Sequence, residues 1–226
     1  MSEIEVRDAH GAELVAGCAL LARSLAFSER DALPPWLAQT SAAHGGIALA
    51  AVDGERVVGF SFALPGRPGE LFSCGLAVEP GARGRGVGRR LKLAQRERAL
   101  AGGAEVIRWT ADPLSAPALA LYLGGLGARI TDYAPELYAD VRDAVVPPDD
   151  VVIEWRLGEP SSVSGAAAAR VEIPLDTPSL SVGERSRWRF AVRREMGPVL
   201  EAGGVGTDVL VDRADGRAWV LFHEAA

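Results

Sequence analysis

Between Val78 and Leu91 the chain reads Val-Glu-Pro-Gly-Ala-Arg-Gly-Arg-Gly-Val-Gly-Arg-Arg-Leu, and few local structures satisfy that order. A mostly apolar run, Leu71 to Val78, stops at Pro80, crosses Gly81, Gly84, Gly86 and Gly88, and re-emerges as a helical pattern. Glycines let a backbone approach a ligand that any Cβ would obstruct. A helix that begins here leaves its first N–H groups unpaired and carries partial positive charge at that end. Strand, glycine turn and helix N-terminus together predict an anion cradle suited to a phosphate or diphosphate. Arg83, Arg85, Arg89 and Arg90 add charge around it.

Three glycine-rich phosphate loops compete for this text. The dinucleotide fingerprint G-x-G-x-x-G, started at Gly84 or Gly86, puts Arg89 or Leu91 where its third glycine belongs. No strand-ending acid follows at the spacing of a ribose contact. The P-loop spacing from Gly81 reaches Gly86, but Val87-Gly88 stands where lysine and a hydroxyl residue are required. What fits is R-x-x-G-x-G, read as Arg83 to Gly88 and preceded by the V-x-P of Val78, Glu79 and Pro80.

That loop resembles the acyl-coenzyme A loop of the GNAT acyltransferase superfamily. The resemblance continues through "LKLAQRERAL" (91–100), "IRWTADPL" (107–114), "ALALYLGGLGARITDY" (118–133) and "EWRL" (154–157), and into "RVEIPLD" and "RWRFAVRRE" near the C-terminus. It is closest to a subgroup described as predicted GNAT acetyltransferases. The family implies a mixed α/β fold: a twisted mixed sheet flanked by helices, in which two parallel strands splay apart around the pantetheine arm. Here those strands would be 71–78 and 106–111. The resemblance implies that backbone atoms of Leu76, Ala77 and Val78 bind the pantetheine. It assigns the diphosphate to the segment Arg83, Gly84, Arg85, Gly86, Val87, Gly88, with Arg89 beside it. It implies acetyl-coenzyme A, or another acyl-coenzyme A, as co-substrate.

Acyl transfer from a thioester to an amine requires the amine to lose a proton, the oxyanion to meet donors and the thiolate to gain a proton. In the family a tyrosine of the helix after the second splayed strand often serves as that acid, which points to Tyr122. Tyr122 precedes Gly127 by five residues, whereas the family's tyrosine more often stands four before its glycine. In an α-helix that shift rotates the side chain by about 100°, and Leu123 takes the expected register. Glu79 is the acid nearest the loop and the candidate base, set against a solvent-facing role. Cys74 lacks a neighbouring histidine and reads as a buried strand cysteine; Trp109, Trp155 and Trp188 read as core, and Asp112 as the cap of the following turn.

Composition narrows the partners. The 226 residues are 48% hydrophobic and carry a net charge of −6, so the local arginine cluster is no nucleic-acid stripe. Lys92 is the sole lysine. His10, His44 and His223 are scattered, so no metal site is expected, and Cys18 and Cys74 suit free thiols in a reducing cytoplasm. The first ten residues read as an acidic strand start rather than a signal peptide, and no apolar run reaches membrane length.

The pattern predicts a strand at 4–7 and a helix at 12–26, then a second helix capped by Ser28 and confined by Pro34 and Pro35. A hairpin turns at Asp53-Gly54, and the loop with its flanking strands follows. The expected organisation is an acyl-coenzyme A-binding domain at 1–157, then a linker from Gly158 and a small C-terminal β-α-β-β unit within 158–226. There Ser181 and Glu184 form a capping box, and Pro198 kinks or ends the helix. This unit packs on the first domain or mediates a homodimer. Two functional readings stand beside each other: an N-acyltransferase acting on a small-molecule amine by direct attack, and an inactive coenzyme A-binding sensor or partner-binding module. A third, an unrelated phosphate-ligand protein, requires tighter binding of a nucleotide without the pantetheine arm.

Overall fold

The hairpin that organises the N-terminal half turns at Gly54-Glu55, one residue on from the expected Asp53-Gly54, because Asp53 still pairs with Arg56. Gly54 adopts a left-handed φ of 64°, and around it β2 (Ile47–Asp53) and β3 (Arg56–Pro65) pair antiparallel. The computed structural model describes residues 3–26, 28–140, 146, 148–159 and 165–224, and its chain divides into two compact units, Met1–Arg108 and Trp109–Ala226. The divide falls inside β5 (Val106–Ala111) rather than after Leu157.

In the first unit the strand order is β1-β2-β3-β4-β5, with β1 (Glu5–Asp8) antiparallel to β2 and β4 (Glu70–Val78) antiparallel to β3. β5 runs parallel to β4. Neighbouring residues of a strand face opposite ways, and Gly59 and Phe60 show which helix covers which face. A Cβ on Gly59 would lie 2.9 Å from Val87 and 3.0 Å from Leu91 of α3 (Val87–Ala101). Phe60 lies against Gly17 of α1 (Gly11–Ser24), where a Cβ would come within 2.1 Å of its ring. So α3 seats on one face and α1 on the other. On the α1 face Leu14, Cys18, Leu21, Phe60, Phe62 and Ala77 form the core, joined by Ala38 of α2 (Pro35–Ala43).

The start of α2 corrects the expectation at Ser28. That hydroxyl donates to Asp31 Oδ2 at 2.7 Å in an exposed turn, and the helix begins with Pro35 as its first residue. Proline lacks only an N–H that the first turn leaves unpaired, and its φ already suits a helix, so these prolines start α2 rather than confine it.

In the second unit β6 (Arg129–Ala134) and β7 (Asp150–Arg156) pair antiparallel. Beyond β6 the order continues β9 (Gly204–Asp212), β10 (Arg217–Glu224), β8 (Ala169–Pro174). β9 meets β6 at Gly206, where a Cβ would sit 2.9 Å from Ile130. The C-terminal strands thus extend the β6–β7 ladder instead of standing apart. α5 (Val182–Glu201) carries the expected capping box at Ser181 and Glu184 and buries Val192, Met196 and Leu200. Pro198 does not end it. It lies in the last turn, where its missing N–H removes one hydrogen bond, that to Arg194 O. Residues 160–164 of the expected linker lie outside the described residues. Among the described residues no helix is long and apolar enough to cross a membrane.

Candidate active site

The glycine loop leaves β4 through a short 3-10 turn, Pro80–Ala82. Gly84 and Gly86 then take φ of 73° and 75°, the left-handed region that disfavours a side chain, and a Cβ on either would meet no atom within 4 Å. Gly86 sits at the N-cap of α3, and the first backbone bond closing that helix is Arg90 N to Gly86 O at 3.0 Å. Among the described residues the amides of Gly84, Arg85, Gly86, Val87 and Gly88 meet no acceptor. No acid occupies the first turn of α3. Arg83 is different. Its amide donates to Pro80 O at 3.3 Å and its Nε to Val78 O at 3.2 Å, so it braces the loop rather than lending its own amide. The Arg85 guanidinium stands 3.8 Å from Asp53.

β4 changes character along its length. Its parallel ladder with β5 comprises Glu70↔Val106, Leu71↔Ile107 and Phe72↔Arg108, and the register ends there. The antiparallel ladder with β3 shifts between Phe62 and Ala63, so that Cys74 is the unpaired residue of a β-bulge. Glu79 N donates to Val58 O at 2.9 Å. Peptide groups alternate in direction along a strand, so Ala77 also points its N–H and C=O at β3, while Leu76 and Val78 point theirs to the other edge. Ala77 therefore leaves the set of backbone contacts expected for a pantetheine. Its peptide groups are in the ladder and its side chain is buried.

Tyr122 follows α4 (Ala116–Ala120), inside a π-helical turn that spans Leu121–Gly125. A π turn closes i to i+5 and takes up one residue more than an α turn. Gly127 N donates to Leu123 O at 2.8 Å, four residues back, and Ala128 N to Tyr122 O at 3.0 Å, so the five-residue spacing from Tyr122 to Gly127 stands in the structure. Leu123 is 1% exposed in the core, while Tyr122 is half-buried with its ring edge-on to Trp109, centroids 5.1 Å apart at 76°. Trp109 in turn packs edge-on against Trp155. Burial pushes the Tyr122 phenol up to about 12, so it holds its proton throughout the physiological range.

Residues 17–127 match the Acetyltransferase (GNAT) family. The chain carries a GNAT acetyltransferase domain. That family is one of acyl-coenzyme A-dependent acetyltransferases. A mycothiol acetyltransferase of Rhodococcus jostii (strain RHA1) is 38% identical over 104 residues, which are 45% of this chain and 33% of that protein. The chain thus matches about a third of that relative's length. Two solved structures share the fold. The ribosomal-protein-S18-alanine N-acetyltransferase from Escherichia coli has a TM-score of 0.57 at 16% identity, covering 72% of this chain and 97% of that one. A putative acetyltransferase from Salmonella typhimurium, solved with acetyl-coenzyme A, has a TM-score of 0.59 at 17% identity, covering 73% and 100%.

Glu79 ion-pairs with Arg23 of α1 at 3.3 Å, and both line a cavity of about 230 Å³ with Leu20, Ser24, Pro80 and Arg83. It is a half-buried, ion-paired acid at the loop's start. Burial pushes the thiols of Cys18 and Cys74 up to about 11, so neither is a thiolate nucleophile at neutral pH. Asp112 caps its turn as expected, accepting from Leu114 N at 2.8 Å. Among the described residues no His, Cys, Asp or Glu cluster has the make-up of a metal site.

A polar cluster that the sequence did not announce lies under α3. Lys92, fully buried, donates to Ser73 Oγ at 2.8 Å and Gln95 Oε1 at 3.1 Å, and Gln95 Nε2 donates to Ser61 Oγ at 3.0 Å. The available signal was the i, i+3 spacing of Lys92 and Gln95 on the helix face that carries Leu91 and Ala94. Burial lowers the Lys92 ammonium to about 7. In the unfolded chain it stays protonated up to about 10.4. Between those values the unfolded state binds more protons, so stability rises with pH there. The burden of the buried ammonium is complete below pH 7 and fades as pH climbs. Lys92→Met is therefore expected to raise the melting temperature most below pH 7, with the gain shrinking steadily towards pH 10. A gain equal at every pH in a melting series would assign the effect to packing instead.

Proposed function

We propose that this chain transfers an acetyl, or another short acyl group, from acyl-coenzyme A to the amine of a small-molecule acceptor by direct attack. The observation that carries the reading is the row of unpartnered amides from Gly84 to Gly88 at the start of α3. Such a row, at the positive end of a helix and opened by two left-handed glycines, fits a diphosphate. Leu76 and Val78 offer backbone groups on the unladdered edge of β4, the complement of a pantetheine's amides. Arg83, through Val78 O, holds the turn between these two stretches of backbone.

The thioester supplies an activated carbonyl. A C–N bond forms as the C–S bond breaks; the amine sheds a proton and the thiolate takes one up. Tyr122 is the donor to that sulfur, and its phenol is protonated across the working range. Glu79, paired with Arg23, receives no role as base in this reading. The relative named a mycothiol acetyltransferase supports acetyl as the acyl group, and the net charge of −6 favours a small acceptor over nucleic acid.

Titration calorimetry with acetyl-coenzyme A, then an amine panel monitored by release of free thiol, tests the proposal. Micromolar binding with amine-dependent thiol release is expected. Binding without release from any amine would leave a coenzyme A-binding module, and no binding would remove the reading altogether.

A further inference from the structure

The segment 112–125, which runs through α4 and the π turn and carries Tyr122, is held near both ends by the C-terminal segment of its own unit. At its approach, Asp112 caps Leu114 N at 2.8 Å, and Arg189 of α5 donates through Nη1 to the same Asp112 Oδ1 at 2.8 Å. The Thr177 hydroxyl donates to Leu114 O, fixing the other side of that residue's peptide frame. Near the other end Asp208 of β9 lies beside Gly124, where a Cβ would come within 2.6 Å of Oδ1. Asp208 is itself pinned, since the same oxygen accepts from Val209 N at 2.7 Å.

Arg189 is an expensive way to hold a loop. It is 6% exposed, its Nη1 also donates to Asp149 O at 3.0 Å, and its buried Nε has no partner among the described residues. A buried guanidinium with an unpaired donor is commonly less stabilising than an apolar side chain of similar volume. What Arg189 supplies that such a side chain cannot is a fixed position for Asp112. A π turn is rare and takes one residue more than an α turn. Closure of this stretch as an α turn would rotate the following side chains by about 100°.

We infer that Arg189, Thr177 and Asp208 are positioning residues for acyl transfer, keeping Tyr122 in place by holding the 112–125 segment near both its ends. This rests on the reading of Tyr122 as the proton donor. The C-terminal segment is then part of how the reaction is performed, although it touches no reacting atom.

The test is a double-mutant cycle of Arg189→Met with Tyr122→Phe, read in kcat and in KM for acetyl-coenzyme A, with near-ultraviolet circular dichroism of the Trp109–Tyr122 pair. Arg189→Met is expected to lower kcat about tenfold with KM unchanged, and to have under twofold effect once Tyr122 is phenylalanine. Arg189→Lys, keeping one donor for Asp112, should recover part of the loss. Equal losses in both backgrounds would overturn the inference. If Tyr122→Phe alone leaves kcat unaltered, the donor reading fails. The dichroism still decides the clamp: a changed aromatic signal in Arg189→Met retains it, and an unchanged one removes it. Should Arg189→Met not fold, Thr177→Val removes a single hydroxyl and carries the same comparison.

Discussion

Tyr122→Phe is expected to lower kcat about a hundredfold while acetyl-coenzyme A affinity stays within about threefold, since general acid catalysis contributes that order of rate. The substitution takes away one hydroxyl and keeps the ring that packs edge-on to Trp109 at 5.1 Å, so fold and cofactor site are left alone. A phenol raised to about 12 by burial gives no alkaline loss of its own between pH 6 and 9. Any limb seen there belongs to the acceptor amine or to another group, and it should survive in the phenylalanine variant. Unchanged turnover would make Tyr122 a packing residue of the Trp109 cluster.

The parts of this molecule that could be read in advance are those where one residue type fixes the backbone. Gly54 and its hairpin, the left-handed Gly84 and Gly86, and the capping box of Ser181 with Glu184 each have few conformational alternatives. The α/β order followed from them. Features that depend on how hydrogen bonds are shared between segments were not legible. The π turn at Leu121–Gly125 leaves the helical pattern of its sequence nearly intact, so the sequence reads through it as one helix. The bulge at Cys74 and the alternation that turns Ala77 into the ladder depend on β3, distant in sequence. Lys92 and Arg189 sit on arginine-rich helices where basic residues ordinarily face water, and only their partners reveal them as buried. Pro35 follows a simpler rule: proline breaks a helix in its interior and begins one at its first turn.

Gly88→Val is expected to weaken acetyl-coenzyme A binding about a hundredfold, the equivalent of one or two hydrogen bonds to a charged group. Gly88 is the second residue of α3 and keeps the negative φ of a helix, so valine meets no backbone strain there beyond its modest helix propensity. In a helix the Cβ tilts towards the N-terminus, so an added side chain leans towards the amides that run from Gly84. Gly86→Val is the instructive contrast. With φ at 75° that position resists any side chain, so its variant should lose stability as well as affinity. A calorimetric titration beside a thermal melt separates the two: affinity lost with the melting temperature within a few degrees for Gly88→Val, both lost for Gly86→Val. Full affinity in a folded Gly88→Val protein would move the diphosphate away from the start of α3, and with it the proposal that this loop is where the acyl donor is held.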